Sequence, residues 1–204
     1  MDPGAVLLER QECRVGKGRL EAFSDGVLAV IISLMVLEMK VPQGADLAAL
    51  YSVLPLFLVY VMSFVYIGIY WNNHHHMLHA VEKIDGRAMW ANLNLLFWLS
   101  LVPFVTGWMG ENHFAAVPTA LYGVVLLMAA ISYTLLQTTL VASNGRQAVL
   151  AHAVGNDFKG KLSIVCYVLA IPLAFVHQAI SDVLYAAVAA IWFVPDRRIE
   201  RAAA

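Results

Sequence analysis

The chain has 204 residues, of which 61% are hydrophobic and 13% are charged, whereas a soluble domain is roughly 45–50% apolar. With a mean hydropathy of +0.71, this composition excludes an ordinary soluble domain and indicates an integral membrane protein. The formal net charge of -1 offers no basic surface to neutralise phosphates, so we expect no nucleic-acid partner.

The predicted elements are six apolar segments that can cross the hydrocarbon core as helices. They run near Leu20 to Met39, Leu47 to Asn72, Arg87 to Met109, Val117 to Val141, Leu162 to Gln178 and Ile180 to Val194. The predicted fold class is therefore an all-α integral membrane protein with six transmembrane helices per subunit. Because the last two segments are short and adjoin, a tight turn is predicted at Gln178 to Asp182. We assign residues 1–18 to an N-terminal segment, 19–195 to the transmembrane domain and 196–204 to a C-terminal tail.

The basic residues predict how the chain is oriented in the membrane. Of the 13 Lys and Arg residues, all but Lys40 lie at the termini or in the second and fourth loops. Those residues are Arg10, Arg14, Lys17, Arg19, Lys83, Arg87, Arg146, Lys159, Lys161, Arg197, Arg198 and Arg201. By the positive-inside rule these regions are cytoplasmic, so both termini are expected in the cytoplasm. That orientation requires an even number of spans, and six satisfies it.

The first predicted helix carries charges in its first turns, where the membrane makes them costly. Arg19 and Glu21 are either solvated at the interface or part of a functional site, whereas Asp25 lies a turn deeper and indicates a functional site or a polar network. Phe23, Gly26, Ser33, Leu34 and Leu37 all fall within about 60° of Val30 on the helical wheel. Asp25 lies about 140° from Val30, so it faces other helices. From the residues alone, the stripe around Val30 lines a pore or faces lipid or a neighbouring helix.

The residues Arg19, Phe23, Ser24 and Asp25 form the pattern R-x-x-x-F-S-D at the start of this helix. In this setting the pattern resembles the transmembrane-protein-175 family of potassium channels, specifically the bacterial members with one six-helix unit per chain. Further residues at family-like positions are Trp71, Asn73, His74, His75, Asp85, Asn92 or Asn94, and Pro103. The resemblance covers all six predicted helices, although its specific motifs lie in the first half of the chain.

The resemblance implies a passive potassium-permeable channel in a bacterial plasma membrane. It implies a homotetramer in the lipid bilayer, in which the first helices line a pathway for monovalent cations and an apolar bottleneck serves as gate and selectivity element. By offset from the F-S-D motif, the narrowest position maps to Val30. The further layers are Leu34, Leu37 and, as a hydroxyl layer, Ser33. In the family, Ile or Leu is more frequent at the position of Val30 and Thr is common at that of Ser33.

The resemblance also gives the charged first turns a role, as a polar network that joins the first helix to the second and third. The expected partners of Ser24 and Asp25 are Trp71, His75 and either Asn92 or Asn94. Arg19 is expected to join this network or to meet a neighbouring subunit. A fully satisfied network specifies one packing, whereas a broken one strands a buried polar group.

The histidines of the stretch WNNHHHMLH suggest a competing chemistry. His75 and His79 lie four residues apart and could share a metal ion on one face of a helix. Three consecutive histidines point in three directions, however, so hydrogen bonding at the helix end is favoured, and no metal site or cofactor is expected beside permeant K⁺. A histidine-box oxygenase would need several clusters, whereas the remaining histidines are isolated, so no enzyme is expected.

The positions of the charged residues bear on the remaining alternative, a proton- or metal-coupled transporter that uses His74 to His79. Such a transporter is expected to show repeated halves, broken helices and ionisable groups at mid-membrane, and the middles of these helices are nearly free of charge. Glu38 lies near the predicted outer mouth, about 80° from Val30 on the wheel. It either raises the local cation concentration through its field or lies at the level of the headgroups.

Overall fold

The structure is a computed structural model that describes residues 3–144 and 157–193, with side chains from Gly16 onward. Within these ranges the chain is helical and has no strand, which confirms the all-α fold class. The helices are α1 (Pro3–Leu37), α2 (Leu47–Ser52), α3 (Leu54–His79), α4 (Gly86–Ser100), α5 (Val102–Glu111), α6 (Ala116–Asn144), α7 (Phe158–Leu173) and α8 (Gln178–Phe193). The predicted tail 196–204 and the basic residues Arg146, Arg197, Arg198 and Arg201 lie outside the described residues.

Four helical stretches are long and apolar enough to cross a membrane. They are Gly16–Leu37, Leu54–His79, Gly86–Glu111 and Ala116–Asn144, and the shorter apolar helix Gln178–Phe193 follows. The third stretch consists of α4 and α5 together. These stretches support a multi-pass membrane protein, while the count of six spans and the cytoplasmic termini stay predictions.

Proline positions explain why the second and third predicted spans are each divided in two. The span expected over Leu47 to Asn72 is interrupted at Val53, and Pro55 is the second residue of α3. The third span is interrupted at Leu101, and Pro103 is the second residue of α5. Proline lacks an N–H, and only the first turn of a helix has no intrahelical use for that donor. The sequence predicted each span as one segment, and the structure divides each of them into two helices.

Three helix ends also differ from the predictions. Helix α1 begins at Pro3 rather than near Leu20, so it includes most of the predicted N-terminal segment. Helix α3 continues through the polar residues beyond Asn72 to His79, because polar side chains do not prevent backbone hydrogen bonds from forming. The turn predicted at Gln178 to Asp182 was wrong: these residues begin α8. The connection comes earlier, where the His177 N–H donates to the Leu173 carbonyl at 2.9 Å.

The core is formed by buried side chains of α1 and of α3 to α8, and α1 packs against α3, α4 and α5. Buried hydroxyls bridge these helices: Ser63 of α3 lies 2.7 Å from the hydroxyl of Thr106 and 3.0 Å from that of Tyr122. Polar side chains of this kind join transmembrane helices because lipid offers them no alternative partner. The exposed face of α1 is thereby left on the outside of the subunit.

The end of α6 is fastened to the loop between α3 and α4 by side chains. The Asn144 side chain accepts from the Lys83 N–H at 2.9 Å and donates to the Lys83 carbonyl at 2.9 Å. Asp85 caps α4 by accepting from the Ala88 N–H at 2.8 Å, and the Ser143 hydroxyl donates to its other oxygen at 2.9 Å. These two hydrogen bonds hold the pKa of Asp85 below its usual value of 3.8. The start of α4, which carries Asn92, is thus fixed in place.

Candidate functional site on the first helix

Helix α1 has one face packed in the subunit and another face exposed. Ile31 and Met35 are only 1% and 2% exposed, since they pack into the core. Val30 and Leu34, one residue before each of them, are 57% and 45% exposed. The exposed residues of the predicted stripe are Phe23, Val30, Ser33, Leu34 and Leu37. The structure thus leaves every predicted pore-lining side chain on a surface that the single chain does not cover.

Ser33 is the polar member of this stripe, and its hydroxyl is turned back onto its own helix. Its Oγ donates to the Ala29 carbonyl at 2.9 Å, as serine often does in apolar helices. The hydrogen is therefore used internally, while the oxygen lone pairs remain accessible on the exposed side. A lone pair is the part of a hydroxyl that a cation can bind.

The Ser24 side of α1 joins a buried chain of hydrogen bonds that spans three helices. The Ser24 Oγ donates to the Leu20 carbonyl at 2.8 Å and accepts from the Asn92 Nδ2 at 2.9 Å. The Asn92 Oδ1 then lies 2.7 Å from the His74 Nε2. Because Asn92 uses its amide group on Ser24, its oxygen accepts and the His74 Nε2 must carry the hydrogen. We call Ser24, Asn92 and His74 the polar clasp.

Asp25 has a different partner on the surface side of the same turn. Its Oδ1 accepts from the Trp71 Nε1 at 3.0 Å, as the sequence predicted for Trp71. The Trp71 ring stacks on His75, with centroids 6.1 Å apart. The His75 Nδ1 in turn lies 3.1 Å from a carboxylate oxygen of Glu21. The expected single network is therefore two groups: the buried clasp around Ser24, and a surface group around Asp25.

Two predicted partners are placed elsewhere. His75 was expected to satisfy Ser24 or Asp25, but the buried histidine that reaches the clasp is His74. Helical geometry turns His75 about 100° away from it. Of the two asparagines that were left open, Asn92 joins the clasp, whereas the Asn94 Nδ2 donates to the Ser132 hydroxyl of α6 at 2.7 Å.

Lys17 makes a contact that the sequence analysis missed. Its Nζ donates to the Val81 carbonyl at 3.0 Å and to the His79 carbonyl at 3.3 Å. Lysine near a helix C-terminus satisfies carbonyls that have no partner within the helix. Arg19, the basic residue of the motif, is exposed and makes no hydrogen bond or ion pair to any residue that the structure describes. Its expected place in the network is therefore not seen within one subunit.

Charged side chains also lie at the opposite end of α1, near Leu37. Glu38 directly follows the helix and lies over Gly107 of α5, where an added methyl group would be 3.1 Å from its Oε2. The Lys40 Nζ lies 2.7 Å from a carboxylate oxygen of Glu111, and this hydrogen bond raises the pKa of Lys40. Glu38 is thus exposed beside α5 at the end of the stripe.

Fold and site together define a multi-pass α-helical membrane protein whose first helix is fastened at one end by polar contacts and exposes an apolar stripe. The family model described as "Endosomal/lysosomal potassium channel TMEM175" matches residues 19–103. These residues contain the R-x-x-x-F-S-D pattern and every side chain of the polar clasp.

Similar proteins extend the match to most of the chain. A potassium channel of Chryseobacterium sp. (strain P1-3) is 52% identical over 185 residues, which are 91% of this chain and 96% of that relative. The crystal structure of a lysosomal potassium-selective channel TMEM175 homolog from Chamaesiphon minutus has 28% identity and a TM-score of 0.79, covering 89% of this chain and 98% of that one. The human endosomal/lysosomal proton channel TMEM175 is 39% identical over 105 residues, only 20% of its length and 46% of this chain. The chain therefore belongs to the TMEM175 family, as the resemblance predicted.

Proposed function

We propose that this protein conducts K⁺ passively across a bacterial plasma membrane, as a homotetramer in which α1 of each subunit lines a central pathway. Membership of the TMEM175 family and the bacterial potassium channel among its relatives support the choice of ion. The observation that carries the role of α1 is the exposure of Val30 and Leu34 beside the burial of Ile31 and Met35. In a rotationally symmetric tetramer, an exposed stripe on each first helix can meet its copies around the axis.

The stripe offers a cation little with which to replace its hydration shell. A narrow ring of four valine side chains at Val30 resists permeation by dewetting, and it favours the cation that dehydrates more easily. K⁺ holds its water less tightly than Na⁺, so the ring favours K⁺. Leu34 and Leu37 form further apolar layers, and the Ser33 hydroxyls form a polar layer among them. No covalent chemistry is required, and we propose that the protein catalyses none.

The polar clasp and the Asp25 group have a structural task in this mechanism. They hold the end of α1 against α3 and α4 through three hydrogen bonds between side chains: Asn92 to Ser24, His74 to Asn92 and Trp71 to Asp25. The basic residues of the termini and loops support a cytoplasmic location for this end. We assign Arg19 to a contact with a neighbouring subunit, and Glu38 to the outer mouth, where its charge attracts cations.

The deciding experiment changes the width of the ring. We expect Val30→Ala to raise the current and lower the preference for K⁺ over Na⁺, and Val30→Leu to reduce the current. The measurement is liposome flux or single-channel current under K⁺ and Na⁺ gradients, at matched protein amounts. The control is Val36→Ala, which removes the same atoms from an exposed valine about 120° away on the same helix. If both Val30 variants match the wild type, α1 does not line the pathway.

The same liposome assay also tests the transporter alternative. A passive channel carries K⁺ in response to voltage alone, whereas a coupled transporter requires a proton or metal gradient. We expect flux without any second gradient. Because the human relative is named a proton channel, proton flux is measured in parallel. Flux that depends strictly on a proton or metal gradient would establish the transporter.

A further inference from the structure

We propose that Glu21, His75 and His79 form a binding site for a transition-metal cation of the Zn²⁺ class, which bridges α1 and α3. This site lies beside the polar clasp, and the clasp does not use any of its three side chains. The binding itself is independent of the proposed function.

Helix α3 supplies two of the ligands because it continues to His79. His75 and His79 are then separated by one helical turn and lie on the same face. Their rings stack at a centroid distance of 5.6 Å and an interplanar angle of 26°. This is the i, i+4 histidine pair by which helices hold zinc. The neighbouring His74 and His76 lie on other faces, so they cannot replace either ligand.

Helix α1 supplies the third ligand, which the sequence did not associate with the histidines. The Glu21 Oε1 lies 3.1 Å from the His75 Nδ1, and one ligand atom from each of the three residues lies within 4.8 Å of the others. Nitrogen and oxygen ligands about 2.0–2.1 Å from a tetrahedral zinc lie roughly 3.4 Å apart. Small side-chain rotations therefore suffice to bring the three atoms onto one ion.

The surroundings of the site leave a coordination position open to solvent. Glu21 and His75 are half-buried and His79 is exposed, which leaves room for a water molecule as a fourth ligand. Asp25 lies on the same helix as Glu21 and adds negative charge. Lys17 opposes binding with its positive charge, but its Nζ is held at the His79 and Val81 carbonyls. Two imidazoles and one carboxylate select Zn²⁺ over Ca²⁺, which prefers oxygen ligands.

A metal ion at this position cross-links the pore-lining helix to α3 near the clasp. It adds a contact that must break before α1 can move relative to α3. This consequence rests on the proposed function, because it matters for conduction only if α1 lines the pathway. We expect Zn²⁺ to reduce K⁺ flux.

The binding test uses the full chain purified without a polyhistidine tag. We expect one equivalent of Zn²⁺ to be retained per chain after desalting, and no Ca²⁺. Because Zn²⁺ binds the folded state, it should raise the melting temperature. Glu21→Gln and His79→Gln should each abolish both effects. The matched controls His76→Gln and His177→Gln remove a histidine outside the site and should retain both.

The site would be overturned if the wild-type chain retained no Zn²⁺, or if either Glu21→Gln or His79→Gln retained as much as the wild type. A loss in His76→Gln as large as that in His79→Gln would also contradict it. The flux arm compares each protein with and without Zn²⁺. A reduced flux in the wild type and an unchanged ratio in His79→Gln support the cross-link. Retained Zn²⁺ with unaltered flux would refute the effect on conduction alone and leave the site established.

Discussion

Removing the central residue of the polar clasp should destabilise the protein far more than removing a matched asparagine nearby. Asn92 is completely buried and makes two hydrogen bonds, to Ser24 at 2.9 Å and to His74 at 2.7 Å. Hydrogen bonds between transmembrane helices average about 0.6 kcal/mol, so the two lost in Asn92→Ala account for about 1 kcal/mol. Ser24 keeps its bond to the Leu20 carbonyl, but the Nε2–H of the buried His74 is stranded. Leaving this buried N–H without a hydrogen-bond partner lowers the free energy of unfolding by about 1–3 kcal/mol more.

The expected loss is therefore about 2–4 kcal/mol. For a chain of 204 residues, 1 kcal/mol corresponds to a shift of roughly 2–4 °C in melting temperature, so Asn92→Ala should melt about 5–15 °C lower. Asn94→Ala deletes the same atoms but breaks only the hydrogen bond to Ser132, so it should lose about 1–3 °C. The assay is thermal unfolding in detergent, measured on the same oligomeric fraction of each variant.

A double-mutant cycle separates the clasp from a simple loss of packing. If Asn92 acts through His74, then His74→Ala should cost less in the Asn92→Ala background than in the wild type, because no stranded N–H remains. Additive losses would mean that the two side chains contribute independently. Additivity, or equal melting temperatures for Asn92→Ala and Asn94→Ala, would refute the reasoning.

Two further predictions concern packing and pH. Gly110→Ala should lower the melting temperature sharply, because its new methyl group would lie 2.6 Å from the Cα of Leu56. The control Gly68→Ala, where a methyl group would meet nothing within 4 Å, should be neutral or stabilising. Equal effects of the two changes on the melting temperature would disprove the close approach of α3 and α5. Since the folded pKa of Asp85 is depressed below 3.8, its contribution is present above that value and is lost as the pH falls through the folded pKa. The difference in melting temperature between the wild type and Asp85→Asn should thus be constant above about pH 5 and shrink towards pH 3; a difference that does not change with pH would contradict the role of the Ser143 and Ala88 bonds.

The apolar spans could be predicted from the sequence because lipid imposes a simple rule. A spanning helix forms all its backbone hydrogen bonds internally and presents apolar side chains to lipid for about 20 residues. A hydropathy average detects apolar stretches of that length. The same measure does not detect an interruption, since Val53 and Leu101 are themselves apolar. Pro55 and Pro103 each lie two residues after the break, as residues fit for the first turn of a new helix.

The site was predicted to the level of helices but not of individual partners. The resemblance named Trp71 and one of two asparagines among the partners of Ser24 and Asp25 without pairing them, and the structure pairs Trp71 with Asp25 and Asn92 with Ser24. Choosing between His74 and His75 required the rotation of α3, which an end predicted at Asn72 left undefined. The contact of Glu21 with His75 joins two helices that are far apart in the sequence, and no pattern within either segment encodes it.

The two faces of α1 differ in the kind of contact that holds them, and this separates the effects of mutations. Hydrogen bonds and ion pairs are directional and fix position, and among the described residues α1 makes them to other segments at Lys17, Glu21, Ser24 and Asp25. Beyond Asp25, the packed face is apolar and is held by contacts without directional preference. Val30, on the exposed face of that part, contributes little to the packing of the subunit. Val30→Ala should therefore alter ion preference with a small change in melting temperature, whereas Asn92→Ala should lower the melting temperature first and conduction only through lost assembly. If Val30→Ala destabilised the protein as strongly as Asn92→Ala, Val30 would be a packing residue and the bottleneck would have to lie elsewhere.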